Sequence, residues 1–199
     1  MDNSQPDDDS HAPTIPTVET RLEISLVDAP HPAALEPDEL LQQCELRTQR
    51  RSGPGGQHRN KTSSGVFLTH RPTGVIGEAT ERRSQADNRA VALRRLRYSL
   101  AVEVRTTSGI DLKIQNDLES QIHQRYKGHS MRLNESNVDK PAVLAMILND
   151  MHAAGGQPSA VSAAWNVSTS RIVGLLKSYA PAFAFVNKVR QHHGRRALK

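Results

Sequence analysis

The stretch from Gly65 to Val104 constrains the fold more than any other part of the chain. Gly65 to Arg71 and Val75 to Thr80 have strand character, and Pro72-Thr73-Gly74 separates them. Proline presets φ for a turn and glycine accepts positive φ, so the pattern predicts a β-hairpin. Ser84-Gln85-Ala86-Asp87 then has the form of a capping box, with Ser84 as N-cap and an acidic side chain three residues on. Behind it Leu93, Leu96, Leu100 and Val104 recur at spacings of three and four. They mark an amphipathic helix whose other face carries Arg89, Arg94, Arg95 and Arg97. Upstream, Cys44 to Gln49 alternates like a strand, after a short helix near Pro37-Asp38-Glu39 that turns Leu40 and Leu41 inward. Strands under one helix make a small antiparallel sheet with a covering helix, an α+β layer.

The rest of the chain divides around this unit. Residues 1–35 are expected to form a disordered acidic tail, because the first twenty offer almost nothing to bury. Residues 36–106 hold the α+β unit, and 107–137 a linker, with a weak helical pattern over Leu112 to Tyr126. Residues 138–199 are expected to be all-helical, with a basic C-terminal end. There Val143, Leu144, Ile147, Leu148 and Met151 form one apolar stripe, which Gly155-Gly156 ends as a C-cap. A helix from Pro158 to Trp165, one N-capped by Ser168, and one opened by Pro181 and carrying Phe183, Val186 and Val189 should follow. The second of these should bury Ile172, Val173, Leu175 and Leu176.

Charge narrows the partners. Residues 1–40 carry ten acidic side chains against one base, Arg21, so the other 159 residues carry +14 of a net +5. A basic body of this kind favours a polyanion, because phosphate contacts release counterions; a merely solvated surface is the alternative. Cys44 is the only cysteine, which excludes an intramolecular disulfide and a thiol-rich metal site. No apolar run approaches the ~20 residues of a membrane span. The acidic N-terminus has neither signal-peptide nor transit-peptide character, so the expected location is cytoplasmic. Nine scattered histidines make no metal site, and no cofactor is expected. His192-His193 is expected to lie in a solvated tail, and Tyr98, Tyr126 and Tyr179 in cores or at their rims.

Residues 52–63 are dense in glycine and polar groups and predict a loop. Gly55-Gly56 permits backbone angles closed to other residues and leaves no Cβ in the way of a ligand. Gln57 adds two amide donors and an acceptor. No activated nucleophile accompanies them, but backbone N–H groups and an amide suffice to position a water and stabilise an oxyanion when a partner supplies the cavity and a reactive ester. A Gly-Gly-Gln triplet alone is a weak signal. A second copy, Gly155-Gly156-Gln157, lies between a helix and Pro158, where a C-cap and helix start explain it.

Context separates the two copies. Arg51-Ser52-Gly53-Pro54-Gly55-Gly56-Gln57, followed by His58, Asn60 and Lys61-Thr62, resembles the catalytic loop of class I peptide-chain release factors and of codon-independent ribosome-rescue hydrolases. Val66 to Val75, with its Pro-Thr-Gly turn, resembles the two strands of that domain, and Arg82-Arg83-Ser84-Gln85 with Asn88 its helix entry. Together these pieces span residues 47–96, about a quarter of the chain. The resemblance implies a loop that enters the peptidyl-transferase centre of the large ribosomal subunit, beside the ester of peptidyl-tRNA. Gly55 and Gly56 would then supply backbone shape, while Gln57 positions the attacking water and is a position of side-chain amide methylation in the family. It also implies rRNA and tRNA contacts for Arg47, Arg50, Arg51, His58, Arg59, Asn60, Lys61, Arg82 and Arg83. Arg59 departs from the pattern, in which an apolar residue is usual. Release factors that read stop codons carry a large region ahead of this domain, whereas only about 45 residues precede it here, so stop-codon reading is not expected. The expected activity is codon-independent hydrolysis by a monomer.

Residues 162–173 are similar to a helix-turn-helix, with small residues at the crossing and Asn166 suited to a left-handed turn. That pattern is open between sequence-specific DNA binding led by Thr169, Ser170 and Arg171, an RNA or ribosome contact, and a packed structural module around Trp165. Three functions from different classes follow: a ribosome-dependent hydrolase, a ribosome- or RNA-binding relative that no longer catalyses, and a DNA-binding regulator.

Overall fold

A computed structural model of the protein describes residues 15–49, 64–111, 114 and 116–199. Three antiparallel strands form the sheet: β2 (Cys44–Gln49), β3 (Gly65–His70) and β4 (Ile76–Ala79), in the order β2-β3-β4. The hairpin expected between β3 and β4 is present, with Gly74 at φ +72°. His70 locks its turn: one ring nitrogen meets Thr73 Oγ1 at 2.7 Å and the other Gln43 Oε1 at 2.9 Å.

Helix α2 (Gln85–Glu103) lies across the sheet. Ser84 Oγ accepts from the Asp87 amide at 3.2 Å, as the capping pattern predicts. Ala92, Leu96 and Leu100 meet Val66, Leu68 and Ala79 in a core in which all six are nearly inaccessible to solvent. Two expectations for this helix change. Val104 has left it and pairs as β5 (Val104–Arg105), in parallel with β1 (Ser25–Leu26). Arg97 is not on the solvated face: its guanidinium donates twice to Ala33 O (2.9 and 3.1 Å) and once to Val138 O (2.9 Å).

The N-terminal stretch differs from the tail expected over 1–35. From residue 16 onward it wraps the body. Arg21 clamps Asp111 with two bonds of 2.6 Å, and the carbonyls of Thr20 and Leu22 accept from His192 and His152. His31, completely buried, is held by Val104 O, the Ala33 amide and, through its own amide, Glu119. Burial first, and then the nearby Arg105 charge, push the His31 pKa down to about 3. His192 is therefore a structural donor rather than part of a solvated tail. Composition conceals this docking because part of it runs through backbone carbonyls, which every residue has, and the rest through single side chains whose partners lie far away in sequence.

Helix α1 (Pro37–Gln42) buries Leu40. The weak pattern after residue 107 resolves into α3 (Asp117–Tyr126), N-capped by Asn116 through the Leu118 and Glu119 amides. Helices α4 (Lys140–Ala153), α5 (Pro158–Trp165), α6 (Thr169–Lys177) and α7 (Ala180–His192) complete the chain. The expected apolar stripe on α4 is buried, but so is every other residue of that helix. A helix covered all round is a core element. Its Ala145 belongs to the sheet-side core and most of its other apolar residues, Ala142 to Leu144, Met146 to Leu148 and Met151, to the helical one, so the boundary expected at 137/138 does not separate two independent cores.

Polar groups on α4 are correspondingly satisfied. Asp150 accepts from Ser108 Oγ (2.6 Å) and Trp165 Nε1 (2.7 Å), and burial raises its pKa to about 6. Asn166 has the expected left-handed turn, at φ 51° and ψ 48°. Ser168 is the N-cap residue of α6 as expected, but its hydroxyl meets Ser170 Oγ at 3.0 Å rather than a backbone amide. On α7 the buried aromatic ring is Phe185, while Phe183 is half-buried beneath Lys177.

Candidate functional site

The candidate catalytic residues Gly55, Gly56 and Gln57 lie outside the described residues, as do Arg50, Arg51, His58, Arg59, Asn60 and Lys61. What the structure describes is the frame from which residues 50–63 leave and to which they return. The frame is a strand pair: Gln49, the last residue of β2, is the register partner of Gly65, the first of β3. Antiparallel pairing continues down to Cys44 and His70, so the two ends of the segment are held at neighbouring points on a sheet.

The return point is clamped by Asn88. Its side chain is completely buried in the first turn of α2. Nδ2 donates to Ser64 O at 2.5 Å and to Arg82 O at 2.9 Å, and Oδ1 accepts from the Arg82 amide at 2.9 Å. One amide thus joins the helix entry, the start of the central strand β3 and the Arg82-Arg83 turn. An asparagine fits because only a side-chain amide offers donors and an acceptor together at that reach. The family pattern includes Asn88 but gives it no role. Its signal in the sequence is an uncharged polar residue on the otherwise apolar inner face of a helix.

Three of the expected RNA-contacting residues are described. Arg47 projects from the outer face of β2, with its guanidinium 5.2 Å from the ring centre of its cross-strand partner Phe67. Arg82 and Arg83 are exposed in the turn that Asn88 ties to Ser64. The structure therefore puts these bases near the two ends of the candidate segment. Arg95 is engaged elsewhere, in a 2.7 Å ion pair with Glu81.

A groove beside the frame was not anticipated. Helix α2 packs on β3 and β4 and leaves β2 as an uncovered edge. The space between holds about 460 Å³, lined by Leu46 and Val66 of the sheet, Leu41 of α1, and Ala86, Ala90 and Leu93 of α2, with exposed Arg89 beside them. Among the described residues no group of His, Cys, Asp and Glu is arranged to hold a metal ion.

The second Gly-Gly-Gln is a helix cap. Gly155 and Gly156 have φ of +60° and +75°, and the Gly156 amide donates to Met151 O at 2.7 Å. Pro16 and His193 pack over Gly155, and Arg190 over Gly156, so this copy is enclosed.

The frame, the bases at its ends and the covering helix define a class. The family model described as RF-1 domain matches residues 38–140, just over half of the chain, and the protein belongs to that family. Among curated relatives, it is 41% identical over 99 residues to Peptide chain release factor 1 of Acidiphilium cryptum, which covers 47% of this chain and 28% of that protein. It is 47% identical over 64 residues to Peptide chain release factor 1-like, mitochondrial, of Rattus norvegicus, with 31% and 17% covered. The chain thus spans well under a third of the length of these relatives. No helix among the described residues is long and apolar enough to cross a membrane.

Proposed function

We propose that this protein hydrolyses the peptidyl-tRNA ester on the large ribosomal subunit and frees the nascent peptide without reading a codon. The observation that carries the proposal is the RF-1 domain match across residues 38–140, which includes Gly55-Gly56-Gln57 between two register-paired strands. In this reading Gly55 and Gly56 let the backbone approach the ester, and Gln57 orients a water. The water oxygen bonds to the ester carbonyl carbon, the bond to the ribose oxygen breaks, and one water proton goes to that oxygen as it leaves. Amide donors stabilise the intervening oxyanion, which is the usual dominant contribution in such sites. The peptidyl-transferase centre supplies the cavity.

Arg47, Arg82 and Arg83, with Arg50, Arg51, His58, Arg59, Asn60 and Lys61, contact rRNA and tRNA phosphates. Gln57 is the position for amide methylation. Codon independence is the finer part of the proposal. Support for it is that the stretch carrying the resemblance, residues 47–96, looks like the catalytic domain of codon-independent rescue hydrolases as well as that of release factors. The protein acts as a monomer, in the cytoplasm, without a cofactor.

Peptide release from purified ribosomes stalled on truncated, stop-codon and sense-codon messages tests this. Wild type is run beside Gly56→Ala and Gln157→Ala. Release on truncated message that Gly56→Ala abolishes and Gln157→Ala spares supports a rescue hydrolase. Release confined to stop codons would overturn codon independence. Binding without release on any message would make the protein a non-hydrolytic ribosome-binding relative.

A further inference from the structure

From Met151 to Lys199 the chain has no Asp or Glu, against seven Lys and Arg. The last acidic residue before this stretch, Asp150, is buried and accepts from Ser108 and Trp165. Helices α5 to α7 therefore present positive charge with no counter-charge of their own. Such a one-sign surface raises the local concentration of anions.

Tertiary packing adds bases to one edge of these helices. The Gly128 amide donates to Trp165 O at 2.8 Å, and a Cβ on Gly128 would lie 3.7 Å from Asn166 Nδ2. Lys127 and His129, both exposed, thus flank the turn that leads into α6. Just beyond it Ser168, Thr169, Ser170 and Arg171 are exposed as well. Nearby acids are already committed. Asp139 pairs with Arg125 at 2.6 Å and accepts from Tyr126 Oη at 3.0 Å, Glu135 pairs with Lys140, and Glu119 is buried against the His31 amide. Among the described residues, neither Lys127 nor Arg171 has an ion-pair partner.

The chemistry of this edge favours one polyanion. A protein interface is centred on buried aromatic or aliphatic anchors, and this edge exposes none. Its hydroxyls and bases are the groups that contact phosphate and sugar. Sequence-reading helices put several bidentate side chains (Arg, Lys, Asn or Gln) against base edges, whereas on the exposed face of α6, made of Thr169, Ser170, Arg171, Gly174 and Lys177, only Arg171 and Lys177 are of that kind.

We propose that the α5–α6 turn, with Lys127, His129 and Arg171 around it, is a second nucleic-acid contact that grips the phosphate backbone of folded RNA without reading its sequence. The choice of RNA rests on the ribosomal function proposed above; the surface does not. It is built from elements other than those that frame residues 50–63.

The test is binding of the full chain to a mixed-sequence RNA duplex, measured by fluorescence anisotropy across a range of salt. Wild type is compared with Lys127→Ala/Arg171→Ala and Lys127→Arg/Arg171→Lys. The double alanine variant is expected to lower the slope of log K against log salt by about 2, one for each phosphate that is no longer neutralised. The charge-conserving pair keeps the wild-type slope. Duplexes of different sequence give the same result. A slope in the double alanine variant equal to wild type overturns the proposal, as does tighter binding of the wild type to a DNA duplex of the same sequence. Peptide release is scored separately. A wild type without release but with the expected slope change defeats the hydrolase reading alone, and release with an unchanged slope defeats this one alone.

Discussion

Replacing Asn88 tests how far the frame governs the candidate site. Asn88→Ala removes three hydrogen bonds from a completely buried position: two to the carbonyls of Ser64 and Arg82 and one from the Arg82 amide. Ser64 is itself buried, and its carbonyl would lose this donor at a cost of about 1–3 kcal/mol. Arg82 is exposed, so its two groups turn to water and cost about 0.5 kcal/mol each. The expected loss is about 2–4 kcal/mol, read from urea unfolding, or roughly 5–15 °C in Tm for a chain of this size. Asn88→Asp keeps the shape but points a carboxylate at two carbonyl oxygens, so it should be less stable than the alanine variant. If residues 50–63 need this clamp, peptide release by folded Asn88→Ala should fall at least tenfold at a temperature well below its midpoint. An alanine variant within 0.5 kcal/mol of wild type, or an aspartate variant as stable as wild type, would refute the reasoning.

Four further outcomes rest on packing, hydrogen bonding and burial. A Cβ at Gly77 would lie 2.5 Å from Leu96 Cβ and 2.6 Å from Leu96 N, and against Ala92 O. Gly77→Ala must therefore lift α2 from β4, at a cost of about 3 kcal/mol in denaturant unfolding. Gly156→Ala combines a left-handed φ with a collision against Arg190 and should lose about 2–4 kcal/mol. Gln157→Ala should lose about 1 kcal/mol or less, which makes it the better control in release assays. The depressed pKa of His31, about 3 when folded against 6.5 when free, gives stability that is full above pH 6.5 and lost as pH falls toward 3. Wild type should thus lose about 3 kcal/mol from this group between pH 6.5 and 4, and His31→Gln should flatten that part of the unfolding profile.

Much of the local structure was legible because short-range chemistry determines it. Pro72-Thr73-Gly74 closes its hairpin and Asn166 takes the left-handed turn through backbone preference, and Ser84 caps α2 through its hydroxyl, each within a few residues of chain. The pattern from Arg51 to Asn88 likewise identified the family, since motif order is a property of the chain alone. Where local preference was ambiguous, expectation and structure part. Ser168 sits where a cap belongs, yet its hydroxyl bonds to Ser170, a competition between a backbone N–H and a neighbouring hydroxyl that composition does not rank.

Residues whose partners are far away in sequence were decided only by the tertiary structure. Asn88 became a clamp because Ser64, 24 residues earlier, falls within its reach. Arg97 left the solvated face because Ala33 O stands beside α2. The stretch from residue 16 gained order because His152, His192 and Asp111 receive it, and α4 became a core helix because both cores close upon it. The sequence by itself thus determined the strands of the three-stranded sheet, the turns, the α2 cap and the family, whose information lies within a few residues or in their order. Burial, pairing and the meeting of Lys127 with the α5–α6 turn were left to the fold, because they depend on which distant groups share one place and exclude water from it.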